Sequence, residues 1–440
     1  MNASDLLMER FLALHPKLID LSLGRLMRLL DALGNPHRRL PPVIHVAGTN
    51  GKGSTVAFMR SILEAADLKV HVYTSPHLVR FHERIRLGAT GGGKLVSEAL
   101  LVDAFERCEA ANKGEAITVF EMTTAAAFLL FSEHPADILL LEVGLGGEFD
   151  ATNVIDTALA TVVTPVSMDH SEYLGDTLEL IAKAKAGIFK RGIPAIIAQQ
   201  EHPEAETVLE RQAFKAGAKL IVSGQQFQTY EEDGRLIYQD EVGLLDLPLP
   251  RLPGKHQQSN AETAIAALRA AGFASLPLSA FEQGIANASW PARLQNLRHG
   301  TLTQSIPEGS ELWLDGGHNP DGGKVLAAAM RDFQNRLPRP LIMIVGMLAT
   351  KDSSAFLQAF SGLATEVIAV PIPSQKMARS PQEVAAMAAE AGLNAQISDS
   401  FITALHSIAG LPWPVPPRIL MTGSLYLAGE ILAANETCPD

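Results

Sequence analysis

Lys52 stands in the run Val43-Ile44-His45-Val46-Ala47-Gly48-Thr49-Asn50-Gly51-Lys52-Gly53-Ser54-Thr55, and its surroundings suggest phosphate chemistry. An apolar, β-rich segment feeds a glycine-rich turn, after which a helical pattern begins. Such a turn aims successive backbone N–H groups and a helix N-terminus at one point, which suits a polyphosphate. Lys52 adds a mobile positive charge for the terminal phosphates. Ser54 or Thr55 supplies a hydroxyl for phosphate or Mg2+. Gly53 intervenes between the lysine and the hydroxyl, so the strict pattern G-x-x-x-x-G-K-S/T is not met.

Further along the chain, polar residues follow strand-like runs. Glu142 ends the apolar run 138–141 and enters Gly144-Leu145-Gly146-Gly147. A carboxylate at the carboxyl edge of a parallel strand is where a Mg2+ ligand would sit, although a solvated strand end reads the same way. Asp169-His170 follows the run 160–164. It is either a second polar set converging on that metal or an ordinary surface pair. Lys183 and Lys185 lie among small and apolar residues in a helical stretch. Either lysine snorkels to solvent, or its surroundings lower its pKa and make it reactive. Asp315 and His318 occupy the exit loop of 312–314, where Asp315 could accept from a ribose or amine and His318 could position a phosphate or carboxylate.

These residues need a frame to hold them. Continuous apolar runs at 43–47, 70–74, 138–143, 159–163 and 195–198 alternate with helical patterns at 56–66, 97–108, 122–131 and 177–186. That alternation predicts a mostly parallel sheet covered on both faces. Residues 219–252 read as short strands around Glu231-Glu232-Asp233-Gly234, a small antiparallel sheet, and 254–270 as another helix. Beyond Trp290-Pro291-Ala292-Arg293 a second α/β series begins. Its strands fall at 312–314, 341–345 and 366–370, with helices starting at Gly322 and Ser353. The expected organisation is α/β in two domains, 1–295 and 296–440, with the boundary between 290 and 300.

The bulk properties agree with this organisation. A chain of 440 residues with 47% apolar content predicts two well-buried cores. The balance of 36 basic against 48 acidic residues, net −12, argues against nucleic acid as a partner. With only Cys108 and Cys438, a disulfide framework is not expected. Met1 to Arg10 holds no long apolar run, and nothing reaches the roughly 18 to 20 apolar residues of a membrane span. The expectation is a soluble cytoplasmic protein.

In order, the chain carries Ile19-Asp20-Leu21-Ser22-Leu23-Gly24-Arg25; His45 to Ser54; Thr74-Ser75-Pro76-His77-Leu78; Arg80-Phe81-His82-Glu83-Arg84-Ile85; Thr118-Val119-Phe120-Glu121; Glu142 to Asn153; and Asp169-His170. There follow Lys185-Ala186-Gly187-Ile188; His256-Gln257 with Asn260; Trp290 to Gln295; Asp315 to Pro320; Lys351-Asp352; and Gly423-Ser424-Leu425-Tyr426-Leu427. Taken together they resemble the dihydrofolate synthase/folylpolyglutamate synthase family of Mur-type ATP-dependent amide ligases, nearly end to end.

The resemblance implies a P-loop Mur-ligase-like first domain and a smaller α/β second domain that closes over ATP from the glutamate side. It implies ATP as co-substrate, held by Thr49, Asn50, Gly51, Lys52, Gly53, Ser54, Asn260, Arg293 and Asp315. Two Mg2+ ions are implied, with Ser75, Glu142 and His170 as ligands. Lys185 matches a lysine carried as a carbamate (N6-carboxylysine), and Lys52, Lys185 and His318 match active-site residues. Asp20, Leu21, Ser22 and Leu23, Thr118, Val119, Phe120 and Glu121, and Phe149, Asp150 and Ala151 match the pteroate pocket. The implied reaction joins L-glutamate to 7,8-dihydropteroate and to the glutamate tail of folates through an acyl phosphate. The implied partners are small molecules only, and a monomer is expected.

Two positions depart from the family pattern. Glu148 stands where G-L-G-G-R-x-D-A-T-N has arginine, which reverses charge beside the pteroate segment. Thr350 replaces an aspartate before Lys351-Asp352, and is expected to trim only a helix-start contact. The alternatives are a monofunctional folylpolyglutamate synthase, a Mur-type ligase for another acyl substrate, and a non-catalytic nucleotide-binding homologue. About 42 residues precede the glycine-rich loop and its strand, too few for the UDP-substrate domain of cell-wall ligases.

Overall fold

The computed structural model describes residues 3–15 and 20–440. Ile19, the first residue of the opening motif, lies outside the described residues. The first domain is built on an eight-stranded sheet in the order Lys94–Leu95, Ile85–Leu87, Val70–Tyr73, Ile138–Glu142, Val43–Ala47, Ala160–Val163, Pro194–Ile197, Lys219–Val222. Only Ile85–Leu87 runs antiparallel to the rest, pairing so with Val70–Tyr73 on one side and Lys94–Leu95 on the other.

The central strand Val43–Ala47 is buried at every position and pairs in parallel with Ile138–Glu142 and Ala160–Val163. Val70–Tyr73 joins the far side of Ile138–Glu142, also in parallel. Four parallel strands therefore release their following loops at one edge, the position where open α/β sheets bind ligands. Apolar side chains leave these strands towards both faces. Leu26, Leu29, Phe105 and Phe128 cover one face, and Phe58, Ile62, Ile265 and Phe281 the other.

Residues 219–222 differ from expectation. They pair in parallel with Pro194–Ile197 as the edge of the main sheet. The cause is the helix Pro203–Ala216, which ends at Gly217 (φ 68°) and completes a β-α-β crossover. The separate antiparallel sheet contains Phe227–Glu232, Arg235–Asp240 and Gly243–Pro248. Its first turn is Asp233-Gly234, both left-handed, as a two-residue hairpin requires.

The second sheet has the order Gln295–Asn296, Glu311–Leu314, Arg418–Thr422, Leu341–Val345, Glu366–Ala369, Ala395–Ile397. All but the first strand are parallel. Its loops after Leu314, Val345 and Thr422 also leave at one edge. Ala292 and Leu294 already pack into the two cores flanking this sheet, whereas Ala288 belongs to a core of the first. Among the described residues, no helix is long and apolar enough to cross a membrane.

Candidate active site

The two loop-bearing edges face one another across a cleft of about 1230 Å3. The helix after the central strand is Lys52–Ala65, starting four residues earlier than the apolar pattern indicated. Gly51 (φ 86°) makes the turn into it, and a Cβ there would collide with the Asn260 carboxamide. The loop is pinned from beneath. Thr49 and Asn50 donate their backbone N–H groups to the Pro165 carbonyl at 2.9 and 3.1 Å. Thr49 Oγ1 accepts from Ser167 N at 3.1 Å, and Asn50 Nδ2 donates to Ser167 Oγ at 3.0 Å. The amides left for a phosphate are therefore those of the first helical turn, which have no intrahelical partner.

Lys52 curls back over this turn. Its Nζ donates to the carbonyls of Gly48 (3.1 Å) and Thr49 (3.2 Å) and lies 4.0 Å from Glu142 Oε1. Lys185 approaches the same point from the helix Leu178–Ala186, donating to Gly48 O at 2.9 Å. Gly147 lets it come so near, since a Cβ there would strike the backbone of Ala184 and Lys185. Lys185 is buried, and burial together with the charge of Lys52 pushes its pKa down to about 7. Lys183, two residues earlier, is exposed.

Glu142 is buried, and burial pushes its carboxyl up to about 7 against the pull of Lys52 and of the Ser75 amide, 3.4 Å away. Such a carboxylate gains from a divalent cation beside it. Among the described residues no three His, Cys, Asp or Glu side chains cluster as a metal cage. Glu142, the Ser75 hydroxyl and the His170 imidazole, all lining the cleft, are a donor set that fits an ion sharing its shell with water and phosphate oxygens. His170 is left-handed (φ 54°) and caps the short helix Ser171–Leu174.

Most residues matched to the pteroate pocket line the cleft: Asp20, Leu21, Ser22, Thr118 to Glu121 and Phe149 to Ala151. Leu23 does not line it; it packs against the hydrophobic core behind. Two carboxylates there hold backbone in place. Glu121 Oε2 accepts from Thr118 N and Oγ1, both at 2.8 Å, closing a capping box, and from Arg25 Nε at 3.0 Å. Asp150 accepts from Leu145 N (2.8 Å), Thr152 N (2.9 Å) and Thr152 Oγ1 (2.5 Å). Phe149 is half exposed and Glu148 exposed beside it.

Asn260 and Arg293 also line the cleft, Asn260 against Gly51 of the turn. Arg293 is flanked by left-handed Ala292 (φ 53°) and Leu294 (φ 45°), an uncommon pair of conformations outside glycine. Asp315 sustains it, accepting from Leu294 N and Gly317 N, each at 2.7 Å. His318 bonds the Gly316 carbonyl through Nδ1 at 2.8 Å and turns Nε2 towards Asp169.

Sequence reasoning gave no role to Lys351 or Asn319. Lys351 pairs with Asp169, and Asn319 Nδ2 donates to Asn50 Oδ1 at 2.9 Å. For Asn319 the signal was the polar run Asp315 to Asn319 directly after a strand, and for Lys351 the pair Lys351-Asp352. Thr350 lines the cleft, and the helix-start contact belongs to Asp352, whose Oδ1 accepts from Ala355 N at 3.0 Å. The Thr350 departure therefore touches the cleft and leaves the helix cap alone.

Fold and site define a Mur-type ligase, and the Mur ligase middle domain model matches residues 46–268. Among curated relatives, the folylpolyglutamate synthase of Lacticaseibacillus casei is 34% identical, covering 92% of each chain. The dihydrofolate synthase/folylpolyglutamate synthase of Escherichia coli (strain K12) is 36% identical, covering 84% of this chain and 82% of the relative. E. coli FolC in complex with DHPP and ADP superposes with a TM-score of 0.87 at 32% identity over 99% of both chains. A bifunctional folylpolyglutamate synthase/dihydrofolate synthase with Mn, AMPPNP and L-glutamate bound gives 0.84 at 29% identity, again over 99% of both. The chain belongs to the dihydrofolate synthase/folylpolyglutamate synthase family.

Proposed function

We propose that this chain is an ATP-dependent ligase that joins L-glutamate to the carboxylate of 7,8-dihydropteroate and to the glutamate tail of folates. The observation that carries this reading is the convergence of Lys52 and Lys185 on the Gly48 carbonyl, with Glu142 4.0 Å from Lys52, beside a cleft that Thr118 to Glu121 also line. A carboxylate is a poor electrophile, so ATP first converts it to an acyl phosphate. The first-turn amides of the helix Lys52–Ala65 and the Lys52 ammonium hold the phosphates and spread the charge of the transferring group. Glutamate's amine then attacks the acyl carbon, phosphate leaves and an amide remains.

Asn260 and Arg293 flank the nucleotide, while Asp315 fixes the strained backbone that presents Arg293. Ser75, Glu142 and His170 would hold Mg2+, which neutralises phosphate charge; two ions suit the charge of ATP beside an acceptor carboxylate. Lys185 carries a carbamate in this reading: its low pKa supplies the neutral amine that CO2 requires, and the product is a further anionic oxygen donor next to Glu142. The proposal extends to a monomer, tested by the molar mass in solution, and to action in the cytoplasm.

The test is ATP-dependent phosphate release with Mg2+ and L-glutamate, comparing 7,8-dihydropteroate with tetrahydrofolate as acceptor. Release with both is the expected result. Release with tetrahydrofolate alone would leave a monofunctional folylpolyglutamate synthase, with Glu148 the first residue to exchange. Silence with both would overturn the substrate assignment.

A further inference from the structure

Asp169 belongs to the first domain, yet its carboxylate is held mainly by the second. One oxygen, Oδ1, accepts from Lys351 Nζ and from the backbone N–H of His170 at 2.8 Å. The other, Oδ2, lies 3.6 Å from His318 Nε2. The three side chains are largely out of water, 8% exposed for Asp169, 12% for Lys351 and 23% for His318. We infer that Asp169 is a positioning residue for the ligase reaction, holding Lys351 and His318 of the closing domain in register with the nucleotide loop.

The register is set by a short chain of contacts. Asp169 ends the loop that begins at Pro165, and that loop is bonded to the nucleotide loop through the Pro165 carbonyl and Ser167. A shift of Lys351 relative to Lys52 must therefore break the Asp169 contact or distort both loops. His318 is tied twice, because its neighbour Asn319 exchanges carboxamide contacts with Asn50 at 2.9 and 3.4 Å. The His318 ring cannot rotate freely either, since Nδ1 faces Gly316 O at 2.8 Å while Nε2 faces Asp169.

Charge gives the arrangement its purpose. Lys351 and His318 crowd one carboxylate in a cleft that Lys52 and Arg293 also line. Without Asp169 the cations Lys351, Lys52 and Arg293 repel one another, and among the described residues no other carboxylate is paired with Lys351. With it, domain closure delivers Lys351 to a fixed place beside the phosphate-binding turn. Positional error of about 1 Å in such a group is enough to cost on the order of 10²-fold in rate.

This inference rests on the ligase reading, but one of its tests requires no acceptor. The first experiment compares Asp169→Asn, Lys351→Met and the double variant in phosphate release. Asp169→Asn should lower kcat by tenfold or more (~10-fold at least) and leave the KM for the pteroate acceptor unchanged, because the contacts of Asp169 are with His170, His318 and Lys351 and not with that pocket. The double variant should be no slower than Lys351→Met alone, since the two residues act as a unit. Asp169→Glu should recover part of the rate. Multiplying effects in the double variant, or normal kcat in Asp169→Asn, would overturn the inference.

The second experiment is small-angle X-ray scattering with AMPPNP and Mg2+. Wild type should contract and Asp169→Asn should stay extended; equal contraction would overturn the proposal. Lys351→Met supplies the same comparison from the other domain should Asp169→Asn fail to fold. If wild type contracts but is silent with every folate, the substrate assignment fails and the positioning role is still decided.

Discussion

Replacing Lys52 with alanine should do two separable things. Its ammonium lies 4.0 Å from Glu142 Oε1, with the two side chains 16% and 5% exposed. At that distance and an effective dielectric of about 20, one unit charge acting on another contributes about 4 kcal/mol. A transferring phosphoryl group beside the same turn experiences a charge of that order. Loss of such a stabiliser costs roughly 10²–10³ in kcat, and 4 kcal/mol corresponds to about 10³.

The second effect falls on Glu142. Burial raises its pKa to about 7 while Lys52 lowers it, so removing Lys52 must raise it further. A raised carboxyl pKa means the anion is lost as pH falls through that value. Magnesium dependence measured from below to above neutral pH should therefore weaken on the acid side in wild type. In Lys52→Ala the weakening should begin at higher pH. The assay is phosphate release titrated with Mg2+ at each pH, with nucleotide affinity measured alongside. A variant within tenfold of wild type (~10-fold, against the ~10³ expected), or one whose magnesium midpoint does not move upward, would refute the reasoning.

Three further outcomes are expected. Lys185, held at about 7 by burial and by Lys52, is reactive towards CO2 at neutral pH: activity depleted in CO2-free buffer should return on adding bicarbonate, the intact mass rising by one CO2, whereas Lys185→Met should show neither response. Gly51→Ala places a side chain at φ 86° and against Asn260, so stability should fall by about 1–3 kcal/mol in denaturant unfolding, and ADP should protect the variant less than wild type. Glu148→Arg changes an exposed side chain beside the pteroate segment, so the melting temperature should hold and the KM for dihydropteroate should fall while that for ATP stays constant.

The parallel frame was legible because apolar strands buried on both faces leave little freedom in register or order. Runs such as Val43–Ala47 and Leu341–Val345 appear within a residue or so of their expected places. Helix starts were harder. Lys52–Ala65 begins on Lys-Gly-Ser-Thr, a polar turn whose helicity comes from the loop beneath it and not from apolar periodicity. Strand 219–222 was misplaced because a short run of apolar residues does not declare its partner, and only the helix before it decides. Contacts across the cleft, such as Asp169 with Lys351 and Asn50 with Asn319, join residues 182 and 269 positions apart. No local pattern encodes separations of that size.

Carboxylates at such an edge divide by how many backbone donors they already satisfy. Asp150, Glu121 and Asp315 each accept from neighbouring N–H groups, so their influence on a ligand passes through the backbone they set: the Gly144 to Gly147 turn, the start of the helix Val119–Glu133, and the bend at Arg293. Glu142 differs, with a single long contact from Ser75 N and an ammonium at 4.0 Å. A buried anion so poorly satisfied is costly to keep and is retained where a cation arrives with the substrate. By this argument Asp150→Asn should disturb loop geometry and acceptor binding together, while Glu142→Gln should abolish the magnesium response and leave the acceptor pocket intact. Acceptor affinity measured without nucleotide separates the two. If Glu142→Gln weakened the acceptor as much as Asp150→Asn does, the division between holding backbone and awaiting a cation would fail.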